Sequence, residues 1–154
     1  MRLEEELKQK RFLSERIKVN VNILFTAGWI ERKQRSALEP FGITWQQFNI
    51  LRILRGAGVT MTLKDISCRM IDKNSNTSRL IDKLKEKSLV QRVICSNDRR
   101  CSDINITEKG LEIIRKSSIE LENVVESIWQ DIGEDEASQI NDCLARIRQN
   151  GELE

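Results

Sequence analysis

Residues 74–106, NSNTSRLIDKLKEKSLVQRVICSNDRRCSDINI, decide the fold because the spacing of their apolar residues changes partway along. In the first half the apolar residues share one side of a helix, at Leu80, Ile81 and Leu84. After Leu89 the period falls to two, which is typical of β-strands. The stretch therefore predicts a helix from Asn74 through Ser88, followed by a β-hairpin.

The hairpin is predicted to turn about Asp98, inside a polar tip formed by residues 96–100. A turn centred there brings the apolar residues of both strands onto one face, as a half-buried hairpin requires. The resulting register pairs residues along the two strands: Val90 with Ile106, Arg92 with Ile104, and Cys95 with Cys101.

The first turn of the predicted helix is polar, which is unusual for a helix start that only packs: Ser75, Asn76, Thr77, Ser78 and Arg79. Hydroxyl and amide groups donate and accept hydrogen bonds at base edges and phosphates, and a helix N-terminus attracts phosphate. The hairpin tip adds Arg99 and Arg100, and arginine is the residue suited to a narrow minor groove. A solvated helix start and an ordinary polar hairpin tip are the alternatives to DNA contact.

We therefore predict DNA-contacting residues in two places. The helix supplies those predicted for the major groove: Asn74, Ser75, Asn76, Thr77, Ser78, Arg79 and Lys83. The hairpin tip supplies Asp98, Arg99 and Arg100. Asp98 is expected to pair with Arg100 and hold the tip while an arginine enters the minor groove.

Further helices are predicted on both sides of this stretch. A long amphipathic helix covers residues 3–38 and ends at Pro40 and Gly42. Threonine N-caps begin three helices: Thr44, whose capping box Gln47 completes, Thr62 with Asp65, and Thr107. Residues 111–150 form two helices that separate near Ile132 and Gly133. The prediction is a mainly α fold with a small β-hairpin wing, in a single domain covering residues 1–154.

Composition limits the classes of function. The chain has 154 residues without histidine or tyrosine, so no imidazole serves as general base or metal ligand; we predict no enzyme activity, cofactor or metal. Its cysteines lack CxxC spacing and are predicted to be reduced and structural: Cys68, Cys95, Cys101 and Cys143. The sequence shows neither an apolar run near the roughly 18 residues of a membrane span nor a signal peptide. We therefore expect a cytoplasmic protein with no membrane partner.

Charge is unevenly distributed along the chain. Residues 1–61 carry a net charge of +5, residues 62–109 carry +4, and residues 110–154 carry −7. A basic body with an acidic end indicates a surface that faces a polyanion in the first two-thirds, followed by a solvated or partner-facing helical region.

Four segments resemble the MarR family of bacterial transcription regulators. They are residues 78–84 (SRLIDKL), residues 89–92 (LVQR), the wing residues 98–100 (DRR) and the helix start at residues 106–110 (ITEKG). Matching residues run from about Phe41 to Gly110, and the flanking helices agree in length and order. Ser88 stands where the family often has glycine, so a less sharply turned helix end is expected there.

The resemblance implies a winged helix-turn-helix lobe over residues 41–110 that binds double-stranded DNA. It also implies a homodimer, in which the helices at residues 3–38 and 111–150 interlock and two recognition helices enter successive major grooves of a pseudo-palindrome. Many members release DNA when a small aromatic or anionic ligand binds between the dimer helices and the lobe. The aromatic residues placed to line such a cleft are Phe25, Trp29, Phe41 and Trp45, for which core or dimer packing is the alternative.

The predicted function is thus a ligand-responsive repressor that binds a pseudo-palindromic operator. The alternative is a winged-helix protein-interaction module, in which the acidic C-terminal helices form the working surface and DNA affinity is incidental.

Overall fold

The computed structural model describes residues 2–95 and 98–149, with side chains described for residues 2–93 and 103–149. This part of the chain is mainly helical, with one two-stranded antiparallel sheet, as predicted. The helices are α1 Leu3–Glu6, α2 Glu15–Leu38, α3 Trp45–Ala57, α4 Leu63–Arg69, α5 Thr77–Glu86, α6 Glu108–Trp129 and α7 Glu134–Gln149. The strands are β1 Val90–Cys95 and β2 Asp98–Ile106, and a 3-10 turn at Glu39–Phe41 joins α2 to α3.

Threonine side chains begin three of the helices, which confirms the predicted caps. The Thr44 hydroxyl accepts the backbone N–H of Gln47, and the Gln47 side-chain oxygen accepts the backbone N–H of Thr44, at 3.2 and 3.1 Å. Thr62 and Thr107 cap α4 and α6 through their hydroxyl oxygens. These bonds satisfy backbone donors that a helix start leaves open.

The hydrophobic core lies inside the winged-helix lobe, residues 41–110. Leu51 of α3 and Ile81 of α5 are both fully buried, and Phe48 of α3 is buried beside them in the same core. Leu38 at the end of α2 and Ile114 of α6 complete this core from the two long helices. Leu121 of α6 also belongs to this core, so α2 packs on the lobe through its C-terminal end and α6 packs on it from its start as far as Leu121.

Gly110 lets α6 begin directly against the wing. A Cβ at this position would overlap the carbonyl oxygen of Leu89, which accepts the backbone N–H of Thr107. This close approach of two backbones explains why the helix start carries a glycine one turn after its cap.

The hairpin has the predicted register along most of its length. Val90 pairs with Ile106 and Arg92 with Ile104, so the apolar residues share a face. The register then shifts after Ile94, and Cys95 pairs with Asp98. The prediction that Cys95 lies opposite Cys101 is therefore wrong, because a bulge intervenes.

The segment before the wing supplies a further bridge to the sheet. Met61 and Ile104 exchange two backbone hydrogen bonds of 3.0 and 2.8 Å, in an antiparallel bridge just before α4. Both side chains are buried. The wing is thereby tied to the connection between α3 and α4.

The predicted helix over residues 3–38 is divided. α1 ends at Glu6, Lys8 has a φ of 51°, and Ser14 caps a new helix by accepting the backbone N–H of Ile17. A Lys18–Glu4 ion pair of 2.7 Å connects the two helices. The hydrogen bond from Lys18 lowers the pKa of the Glu4 carboxyl below its usual value. Serine is a common N-cap residue, but the apolar residues near Ser14 have the spacing of one continuous amphipathic helix.

The C-terminal end of α5 is sharply turned, contrary to the expectation based on Ser88. Ser88 takes the left-handed conformation, with φ 60°, and donates its N–H to Lys85 O at 2.8 Å. Leu89 donates its N–H to Leu84 O at 2.9 Å, and both of these leucines are buried. This is a complete Schellman motif with serine in the position that glycine favours.

The long helices contrast with the lobe in their exposure. The helices α6 and α7 separate between Trp129 and Glu134, as predicted. α7 has no buried residue among those described, and α2 buries only Leu38 within this chain.

Candidate nucleic-acid interface

The turn between α4 and α5 is built around Asp72. Its carboxylate accepts the backbone N–H of Asn74 at 3.0 Å and the hydroxyl of Ser75 at 2.8 Å. The Asn76 side-chain oxygen then caps α5 by accepting the N–H of Arg79 at 3.1 Å. The helix thus begins at Thr77, later than the predicted start at Asn74, because residues 72–76 form hydrogen-bonded turns instead.

The predicted major-groove residues differ in exposure. Asn74, Asn76, Arg79 and Lys83 are exposed, while Ser75 and Ser78 are partly buried. Thr77 is only 5% exposed and directs its hydroxyl to the carbonyl oxygen of Ser75. The prediction that Thr77 contacts DNA is therefore corrected: it belongs to the packed side of α5.

Four of the remaining predicted residues border one groove: Ser75, Asn76, Arg79 and Lys83. It has a volume of about 290 Å³ and is lined by Gln46, Asp72, Ser75, Asn76, Arg79, Leu80 and Lys83. The cations Arg79 and Lys83 and the amides of Gln46 and Asn76 supply hydrogen-bond donors to this groove. Sequence reasoning missed Gln46 and Asp72: Gln46 comes from α3, and neither belongs to the polar run at the start of α5.

The wing strand is connected to α5 by an ion pair. Arg92 of β1 lies 2.8 Å from the carboxylate of Asp82, which precedes Lys83 on α5. The predicted side-chain roles of Asp98, Arg99 and Arg100 lie outside the described side chains. The backbone of these three residues forms the start of β2, so the basic residues stand at the tip end of the hairpin.

Lys87 anchors the other end of α5. Its ammonium donates to the carbonyl oxygen of Gly42 at 2.6 Å and to the Gln47 side-chain oxygen at 3.1 Å. Its own carbonyl oxygen accepts a hydrogen bond from Lys109 at 3.0 Å. These bonds position α5 relative to α3 and α6, and the sequence pattern gave no indication of them.

A second groove lies between the end of α2 and the start of α3. It has a volume of about 480 Å³ and is lined by Glu31, Arg35, Ser36, Glu39, Gly42, Ile43, Thr44, Trp45 and Gln46. Trp45 is the member of the predicted aromatic set that it contains. Phe25, Trp29 and Phe41 lie outside its lining: Phe41 packs on the core, and Lys33 lies 5.7 Å from the centre of the Trp29 ring.

Two of the four cysteines have described side chains. Cys68 and Cys143 are both exposed free thiols, so neither is a core residue. Among the described residues, no group of three or more acidic, cysteine or histidine side chains is placed to hold a metal ion. Within the same residues, no helix has the length and apolar character needed to cross a bilayer.

Comparison with known proteins identifies the same fold. Residues 43–102 match the model of the MarR family. The transcriptional repressor MprA of Escherichia coli is 26% identical over 83 residues, which cover 54% of this chain and 47% of MprA. The match thus spans about half the length of that relative.

Solved structures extend the likeness beyond the matched segment. The organohalide-sensing transcriptional regulator RdhR, in its 2,4-dichlorophenol-bound form, has a TM-score of 0.82 at 18% identity, covering 90% of this chain and 82% of RdhR. A mutant of MarR from E. coli complexed with operator DNA has a TM-score of 0.77 at 21% identity, covering 90% and 99%. At these identities the likeness concerns the fold, which includes the long helices as well as the lobe.

Proposed function

We propose that this chain, whose residues 43–102 match the model of the MarR family, is a transcriptional regulator of that family that binds double-stranded DNA. In this proposal it acts as a homodimeric repressor on a pseudo-palindromic operator. α5 enters the major groove and the wing tip enters the minor groove. The half-site centres lie about one helical turn apart.

The observation that carries the proposal is the groove along α5. Arg79 and Lys83 line it together with hydrogen-bonding side chains, and Arg79, Lys83 and Asn76 are exposed. Residues 1–109, which include this groove, carry the basic excess of the chain. Exposed cations on a helix that lies beside a basic hairpin are the features expected of a winged-helix DNA reader.

The homodimer is supported by apolar side chains left at the surface of the long helices. Leu24 of α2 is 67% exposed, and Ile140 and Ile147 of α7 are 39% and 51% exposed. The remaining exposed apolar residues of these helices are Ile17, Val19, Trp29, Ile119, Val125 and Trp129. Surfaces of this kind are normally buried in an interface, and a second copy of the same chain can cover them symmetrically.

A ligand response is supported by the groove at Trp45. Trp45 and Arg35 both line this groove, so an indole and a guanidinium are available there for stacking on an aromatic molecule or pairing with an anionic one. RdhR binds 2,4-dichlorophenol, which is a molecule of this class. We expect such a ligand to favour a dimer in which the two lobes are wrongly spaced for DNA.

A salt titration of binding to random duplex DNA tests the proposal. Phosphate contacts predict a steep fall in affinity with salt, and Lys83→Ala should reduce the slope by about one for each phosphate contact that is lost. Lys85→Ala is the matched control, because Lys85 is exposed on the same helix but lies about 200° around it from Lys83. Weak binding at every salt concentration would contradict the proposal and favour the protein-interaction module.

The ligand response has a separate test. A panel of phenols and aromatic acids should change tryptophan fluorescence and weaken duplex binding, and Trp45→Phe should remove most of the fluorescence change. A panel that leaves both fluorescence and DNA affinity unchanged would contradict the ligand response alone.

A further inference from the structure

Asp72 is an acidic residue in a groove whose other charged members are basic. It lines the same groove as Arg79 and Lys83. A carboxylate near DNA phosphates is repelled by them, so its presence weakens non-specific binding. Its position therefore requires a role other than general affinity.

The hydrogen bonds of Asp72 fix the direction of the Ser75 hydroxyl. A serine hydroxyl has one proton to donate and two lone pairs to accept with. An ionised carboxylate has no proton, so Ser75 is the donor in the 2.8 Å bond to Asp72. Bonds of this charge-assisted kind are about twice as strong as neutral ones. Ser75 therefore presents acceptor lone pairs to any molecule in the groove.

The neighbouring exposed side chains are hydrogen-bond donors rather than acceptors. Asn76 uses its side-chain oxygen to cap α5 at Arg79, which leaves its amide hydrogens as donors. Thr77 is buried. Asp72 and Ser75 thus supply acceptors to the groove, and Asn76, Arg79 and Lys83 supply donors.

We propose that Asp72 is a specificity-determining residue that makes Ser75 an obligate hydrogen-bond acceptor for a base carrying an exocyclic amino group. This inference rests on the DNA binding proposed above. In the major groove, cytosine N4 and adenine N6 are the donors, whereas guanine and thymine present acceptors there. Arg79 and Lys83 meet acceptors on neighbouring bases or phosphates.

The variant Asp72→Asn reverses the polarity of Ser75. The backbone N–H of Asn74 holds the side-chain oxygen of residue 72, which leaves the new amide NH₂ facing Ser75. Ser75 then accepts from that amide and turns its proton toward the groove. Asparagine is also a favoured turn residue, so the turn itself is preserved.

Selection of bound sequences from a random duplex library measures the effect. The wild-type protein should enrich sites with one position per half-site at which cytosine or adenine is required. Asp72→Asn should lose this preference by roughly ten-fold and gain one for guanine or thymine at the same position. Ser75→Ala should lose the preference without reversing it, and it provides the test if Asp72→Asn does not fold.

Glu86→Gln is the matched control, since it removes one negative charge from an exposed residue at the far end of α5. It should change the affinity for all sequences alike and leave the base preference intact. The inference is overturned if Asp72→Asn behaves like Glu86→Gln, or if Ser75→Ala keeps the wild-type preference. If the wild-type protein enriches no sequence at all, the proposed function fails first and this inference fails with it.

Discussion

The winged-helix lobe and the long helices differ in how completely they bury their apolar side chains within one chain. In the lobe, α3 and α5 bury residues such as Leu51, Ile81 and Leu84 completely within one chain. Along α2 and α7, residues of the same type remain at the surface, and Leu24 is 67% exposed. The core of the lobe is closed within one chain, with Leu38 of α2 and Ile114 of α6 completing it, whereas α2 and α7 also present apolar area that a single chain does not cover.

The lobe also differs in charge from the C-terminal helices α6 and α7. Residues 62–109 carry a net charge of +4, and residues 110–154 carry −7. A basic lobe suits a polyanion, while an acidic helical end with apolar residues suits a partner surface that is not DNA. This difference supports the proposal that DNA binding and dimer assembly use different parts of the fold.

The largest effect is expected from charges placed on the exposed apolar residues of α7. The double variant Ile140→Asp, Ile147→Asp should weaken the dimer by about a million-fold, because a symmetric interface carries each substitution twice and each of the four side chains contributes the roughly 2 kcal/mol of an interface hot spot. Sedimentation across a range of concentrations measures this change.

The matched control is Asn141→Asp, which adds a charge to the same exposed helix without removing an apolar side chain. It should dimerise like the wild type. A wild-type protein that sediments as a folded monomer at micromolar concentration would contradict the assignment of these helices to assembly.

The next effect distinguishes the lobe from the helices by stability. Leu51→Ala should lower the free energy of unfolding by about 3 kcal/mol, because it opens a cavity in a closed core. Leu24→Ala, made in the monomeric double variant, should change it by less than about 0.5 kcal/mol. Urea denaturation measures both. Equal losses would show that α2 is packed within its own chain.

A smaller effect separates base reading from general affinity within the lobe. Ser78→Ala and Arg79→Ala should each cost about 1 to 3 kcal/mol on a selected site wherever they remove a good base contact. The same changes should cost less on random duplex. Competition binding with the two duplexes measures the difference, and an identical loss on both would assign these residues to the phosphate backbone.

The smallest effect is a gain in stability at the end of α5. Ser88→Gly should stabilise the lobe by about 0.5 kcal/mol, because glycine relieves the left-handed strain but makes the unfolded chain more flexible. The comparison is Glu86→Gly, two residues earlier in the helix, which should destabilise it by up to about 1 kcal/mol. Thermal melting of both variants decides whether the residue 88 conformation is strained.

Features of local origin were predicted well from the sequence. Thr44, Thr62 and Thr107 begin helices because a capping side chain bonds a backbone N–H only a few residues away. The alternation after Leu89 fixed most of the hairpin register for the same reason. The bulge at Cys95 was missed because it depends on the backbone path through the tip.

Features that depend on contacts distant in sequence were not predictable. Lys87 bonds to Gly42, and Gln46 reaches the groove of α5, only once α3 and α5 are packed together. Asp72 was overlooked because its role comes from hydrogen bonds that end at Ser75. Residue type indicated the polar end of α5 that is predicted to contact DNA, but the division of its side chains into donors and acceptors required the structure.

The measurement that tests the central claim most directly is binding to duplexes with altered half-site spacing. A selected pseudo-palindrome is compared with one in which about five base pairs, half a helical turn, are inserted between its half-sites. Two lobes held by one dimer predict that the insertion moves the second half-site to the far face of the DNA. Affinity should then fall to that of a single half-site. An insertion of about ten base pairs, by contrast, returns the second half-site to the same face of the DNA. Unchanged affinity after the half-turn insertion would contradict the account.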